Sequence, residues 1–168
     1  PSPAVNQPAN QVLCNNTTAN ITAFTGTVSG AIYNWVNNNP SIGLAASGSG
    51  NITSFIAINT GNIPVTATIT VTPSFAGCPG IPRTFTITVN PTPDVAQPAN
   101  QALCNAAVSN PVTFTGQING TIYNWTNNNP SIGLAASGTG NIPSFTAINT
   151  GSTMVTANIT VTPTAAGC

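Results

Sequence analysis

Charge is almost absent from this chain. Among 168 residues the only cationic side chain is Arg83, the only carboxylate is Asp94, and histidine does not occur. Soluble domains are ordinarily about a quarter charged, whereas this chain is 1% charged. General acid–base catalysis requires a titrating side chain at the substrate, and Ser–His–Asp or Cys–His devices require an imidazole. Calcium or magnesium would need several carboxylate oxygens, and nucleic acid or anionic lipid needs clustered Lys and Arg. The sequence is therefore read as non-enzymatic: no catalytic residue, no metal site, no cofactor and no nucleic-acid partner. Also missing is any run of eighteen apolar residues, so no membrane-spanning helix and no membrane insertion are expected. Nor is there the basic, apolar and small-residue pattern of a signal peptide. The expectation is a mature protein or a window of a longer one.

What is present is β-forming. Hydrophobic residues make up 40% of the chain, far from the charged, apolar-poor composition of disorder. Thr and Asn together supply roughly 30% of it, well above ordinary usage. The surface is thus wetted by hydroxyls and amides, and it should respond little to salt.

The chain repeats itself. Gln7-Pro8-Ala9-Asn10-Gln11 returns as Gln97-Pro98-Ala99-Asn100-Gln101, and Ile32-Tyr33-Asn34-Trp35 returns as Ile122-Tyr123-Asn124-Trp125. Cys14 maps to Cys104 and Cys78 to Cys168, always 90 positions apart without a gap, and about two-thirds of aligned positions are identical. A unit of that length is domain-sized and too long for a solenoid repeat. The expected division is repeat 1 over residues 1–93 and repeat 2 over residues 94–168, the latter cut before its last strand. Neighbouring repeats of the same chain are then the first expected partners. The linker Asn90-Pro91-Thr92-Pro93 carries two prolines of fixed φ and should be semi-rigid.

Within a unit, period-two alternation marks the strands. Val65 to Thr72 places Val, Ala, Ile and Val on one face and four threonines on the other; Thr84 to Val89 does the same. Strands are expected near 10–14, 20–26, 31–36, 43–47, 52–59, 64–73 and 82–90, about seven per unit. That outline predicts an all-β immunoglobulin-type sandwich. Phe24, Tyr33, Trp35 and Phe85, with Phe114, Tyr123 and Trp125 in the second copy, are assigned to the core. A sugar-stacking role for the two tryptophans is the alternative.

Each repeat carries two cysteines 64 residues apart, and the expected arrangement is one disulfide inside each, Cys14–Cys78 and Cys104–Cys168. A loop of that size would be worth roughly 4 kcal/mol in the chain-entropy model. A free buried thiol pair and a cross-domain bridge such as Cys78–Cys104 are the alternatives. Disulfides imply an oxidising compartment, hence a secreted protein. The loop Asn37-Asn38-Asn39, repeated as Asn127-Asn128-Asn129, is the candidate binding loop for a glycan or surface ligand; the turn preferences of Asn and Pro explain it equally well. Asn-x-Thr triplets such as Asn20-Ile21-Thr22 and Asn51-Ile52-Thr53 are glycosylation acceptors only in a host with the machinery. The threonine faces superficially resemble ice-binding arrays, but outward threonine is the default for an exposed strand face.

Taken in order, Phe-Thr-Gly (24–26), Tyr-Asn-Trp (33–35), Asn-Asn-Pro-Ser-Ile-Gly-Leu-Ala-Ala-Ser-Gly (38–48) and Phe-Thr-Ile-Thr-Val-Asn-Pro (85–91) form a pattern. The chain resembles, over essentially its whole length, the PKD-like repeats of very large secreted surface proteins of Bacteroidota. That resemblance implies a sandwich fold, export by the type IX secretion system and a place on the cell surface. Some such proteins are filamentous gliding adhesins of the SprB kind. The Trp-Asp-Phe-Gly-Asp-Gly stretch of better-known PKD domains is missing, since Trp35 is followed by Val36-Asn37-Asn38. The family defines no catalytic residue to carry over. The function expected is a stalk or filament module. The second hypothesis is a glycan- or protein-binding module, with self-association by lateral or donor-strand assembly. The latter is suggested by sheet edges without lysine.

Overall fold

In the first unit six strands join one sheet. They are β1 (Gln11–Cys14), β2 (Ile32–Asn37), β3 (Ser47–Ser49), β4 (Val65–Phe75), β5 (Cys78–Pro79) and β6 (Arg83–Asn90). The order across the sheet is β1-β6-β4-β2-β3, with β5 folded back on β4. The computed structural model describes residues 2–168, and the chain divides into one unit running to Thr92 and another of Pro93–Cys168. Alternation makes β4 and β6: Ala67, Ile69, Val71, Ile87 and Val89 are completely buried, while the intervening threonines lie on the opposite face. That face holds a cross-strand Thr66–Thr88 hydroxyl hydrogen bond of 2.8 Å. Each buried aliphatic or aromatic side chain removes apolar area worth roughly 1.5–3 kcal/mol.

A second layer covers the apolar face. Residues 16–22 run antiparallel to 52–57, with Thr18 opposite Ile56 and Thr22 opposite Ile52. The ladder bonds include Ala19 N–H to Phe55 O and a reciprocal Thr22–Ile52 pair. Phe24, Ile52 and Ala57 from this layer meet Trp35, Phe85 and the β4 aliphatics in one core. Phe24 stands edge-on to Phe85 with ring centroids 6.4 Å apart and tilts against Tyr33 at 5.9 Å. The result is an all-β, two-layer sandwich.

The second unit repeats the plan with fewer strands: β7 (Ile122–Asn127), β8 (Ser137–Thr139) and β9 (Ile159–Thr164), ordered β8-β7-β9. Its covering layer pairs Val108 with Thr146 and Val112 with Ile142. Phe114, Trp125, Leu134 and Ile142 form the buried core, with Tyr123 and Phe145 packed on it.

Three expected strands come out differently. Residues 20–26 and 52–59 pair as separate bridges and not as continuous strands, because side chains replace ladder partners: Phe24 N–H donates to Asn51 Oδ1 at 2.9 Å. The stretch 43–47 is mostly not a strand. Pro40–Ile42 is a single 3-10 turn closed by Gly43 in the left-handed region at φ 93°, and β3 begins only at Ser47. Its small residues have a packing reason: a Cβ on Gly48 would run into the indole ring of Trp35, and one on Gly138 would meet Trp125 in the same way.

Gly48→Ala is accordingly expected to destabilise the first unit by about 1–3 kcal/mol, the usual cost of overpacking a rigid core. Ser49→Ala, exposed next to it, should stay within about 0.5 kcal/mol of the parent. Urea unfolding of the two variants checks this.

Candidate interaction sites: an asparagine loop and two free thiols

The asparagine loop is built to hold itself. Asn37 is buried, and its Nδ2 donates to Leu44 O and Ala45 O at 3.0 and 3.3 Å while its Oδ1 accepts from Asn39 N–H. Asn38 Oδ1 accepts from Thr68 N–H at 2.8 Å, tying the loop to β4. Asn39 Oδ1 accepts from the Ser41 hydroxyl at 2.6 Å. Asn127, Asn128 and Asn129 repeat these bonds in the second unit. All six side chains are thus engaged in fixing the turn after β2 or β7. Trp35 and Trp125 are buried at 7% and 5% exposure, so neither offers a face to a sugar.

In the first unit β6 lies between β1 and β4, parallel to the former from Gln11↔Ile87 to Cys14↔Asn90 and antiparallel to the latter from Val65↔Val89 to Val71↔Arg83. In the second unit a groove of about 690 Å³ is lined by Val95, Phe114, Leu134, Phe145, Ile159 and Val161 among others. Ile69 and Val71 are fully buried, whereas their counterparts Ile159 and Val161 are only half-buried. Strand β9 is an edge, and it is six residues long against eleven in β4. Residues 101–104, which differ from β1 only by Ala102 for Val12, form no strand at all.

The cysteines correct an expectation. Cys78 and Cys104 are free and exposed, so neither Cys14–Cys78 nor Cys104–Cys168 is formed; Cys14 and Cys168 are disulfide-bonded. The reason is sheet register. Cys14 lies level with Asn90, one residue beyond the Val65↔Val89 pair, while Cys78 pairs with Phe75. The ten steps from Val65 to Phe75 therefore separate the two, about 33 Å at 3.3 Å per residue. A disulfide requires Cα atoms within about 7 Å. The second unit has the same disposition. Cys104 belongs to the turn whose Ala106 N–H reaches Ala147 O, near the loop following β7, and Cys168 closes the turn after the opposite end of β9.

These features define a class: an all-β, two-layer sandwich of the immunoglobulin/PKD-like kind. The PKD-like domain family model matches residues 11–93. Among solved structures, the chain is similar to one described as the crystal structure of DIP-gamma IG1+IG2, at a TM-score of 0.50 and 11% identity, covering 96% of this chain and 95% of that one. At such identity the likeness speaks for the fold alone. A search of curated protein sequences finds no match.

Two thiols per chain should react with a disulfide reagent under native, non-reducing conditions, and peptide mapping should place the label on Cys78 and Cys104. Label on Cys14 or Cys168 would contradict the arrangement described. Asn37→Ala removes the partner of two carbonyls and one N–H and should lower stability by about 1–3 kcal/mol, read by thermal unfolding.

Proposed function

We propose that the chain is a structural and adhesive repeat module, a length of stalk or filament, in a large extracellular cell-surface protein. The observation that carries this reading is the gapless 90-residue sequence repeat, its first copy matched by the PKD-like domain family and its two copies joined by a short Pro-rich linker. Disulfide-bonded cysteines fit an oxidising compartment. Among the described residues no helix is long and apolar enough to cross a membrane, and no cluster of His, Cys, Asp or Glu could hold a metal. The near-lack of titrating groups supports a non-enzymatic role. The motif resemblance supports the finer assignment to a surface adhesin of Bacteroidota, exported through type IX secretion and used in attachment or gliding.

Antibodies raised against the chain should label intact cells of the source organism. Deleting repeats from the parent protein should shorten the surface extension, seen by electron microscopy, in equal steps. Labelling only after permeabilisation would overturn the reading.

A further inference from the structure

The two cysteine positions of a repeat sit at its two ends, and the ends are distinguishable by where the chain passes. In the first unit the chain comes in beside β5. Ala4 bridges Ile81 in parallel, and a Cβ on Gly80 would collide with the Pro3 carbonyl. That is the Cys78 end. The chain leaves beyond β6 at Asn90, where Asn15 Nδ2 donates to Thr92 Oγ1 at 3.1 Å. That is the Cys14 end. A repeat's own two thiols are held about 33 Å apart by the length of β4. A bridge at either position must therefore take its partner from outside the repeat.

Both positions are competent to bridge. Cys14 and Cys168 are disulfide-bonded, and by the 90-residue repeat Cys104 stands at the Cys14 position while Cys78 stands at the Cys168 position. Each free thiol thus has a bonded counterpart at the same place in the other repeat, which separates it from a stray surface cysteine. Both are exposed. Chain connectivity makes the complementarity directional, because the exit end of one repeat is followed by the entry end of the next.

We propose that these cysteines are a head-to-tail coupling between repeats: an exit-end thiol of the Cys104 kind bonds an entry-end thiol of the Cys78 kind on another repeat. This rests on the reading of the chain as an array module and names its covalent partner, a second copy of the same repeat. The oxidant is a low-molecular-weight disulfide such as glutathione disulfide. The Cys104 thiolate attacks it to form a mixed disulfide and release one glutathione. The Cys78 thiolate of the other copy then attacks the protein sulfur of that mixed disulfide, releasing the second glutathione. Two protein thiols lose two electrons and two protons, and one glutathione disulfide becomes two glutathione thiols.

The test uses the 168-residue chain at high concentration in a buffer of glutathione and glutathione disulfide, followed by a non-reducing gel and peptide mapping. The expected result is a ladder of multimers, abolished by reductant, with Cys78 of one copy linked to Cys104 of another. Because the coupling is heterotypic, Cys78→Ser and Cys104→Ser should each leave only monomers. Both positions are exposed, and near-UV circular dichroism would verify that the variants keep the native fold. Dimers persisting in either single variant would show Cys78–Cys78 or Cys104–Cys104 pairing and overturn the proposal. So would capped monomers as the sole product of the parent chain. Failure of surface labelling with an intact ladder would sink the array reading alone, and labelled cells without a ladder would sink the coupling alone.

Discussion

The pairing of β6 between β1 and β4 is the constraint on which the rest of the sandwich depends. It supplies Phe85, Ile87 and Val89 to the core, gives the Val65–Thr68 half of β4 its ladder partner and makes β1 a strand. The second unit shows these dependencies separately. Among its described residues no strand pairs with the other side of β9, and there Gln101-Ala102-Leu103-Cys104 lies outside strand geometry, β9 begins only at Ile159, and Val155 is 40% exposed. The sequences concerned are nearly identical in the two units, so local propensity does not explain the change. Tertiary pairing decides it, as is usual for β structure.

A surface wetted by amides and hydroxyls, not charges, has consequences beyond solubility. Edge strands are ordinarily guarded by lysine or by inward-pointing charge. Here polar side chains do part of that work by bonding main-chain groups. Asn10 Oδ1 accepts from Thr86 N–H, Asn38 Oδ1 from Thr68 N–H and Asn158 N–H finds Asn128 Oδ1. Asparagine richness is thus a means of closing sheet margins without salt-dependent interactions. It also explains why so many of these side chains are engaged within the fold, and why the loop at Asn37–Asn39 reads as architecture before it reads as a binding surface.

Alternation made the sheet legible. The Thr/aliphatic runs of β4 and β6 and the Tyr33–Trp35 spacing of β2 stand where period two puts them, and the all-β sandwich follows from them. The covering layer was less legible, because Asn51 and Ser109 side chains substitute for ladder bonds that alternation assumes. The turn at Pro40–Gly43 was hidden in an apolar stretch whose Leu44 is buried without belonging to a strand. Cysteine pairing was illegible for a different reason. Equal spacing in both repeats suits an internal bridge and an external one equally, and only the register, with β1 parallel to β6 and β5 at the far end of β4, separates them.

Placing the thiols at the ends changes what covalent chemistry can contribute to such a module. An internal bridge closing 64 residues would act mainly on the unfolded chain, at roughly 4 kcal/mol; a bridge leaving the repeat gives its interior no such help. The first unit must therefore hold by packing and ladder bonds alone, and its topology suits that. Ala4 pairs with Ile81 in parallel, and β1 pairs with β6 in parallel. The chain enters at one end and leaves at the other, so tension between the termini loads these parallel pairs in shear, with their hydrogen bonds sharing the load and not opening one after another. A unit of this kind resists pulling through β6, the strand that also completes its core.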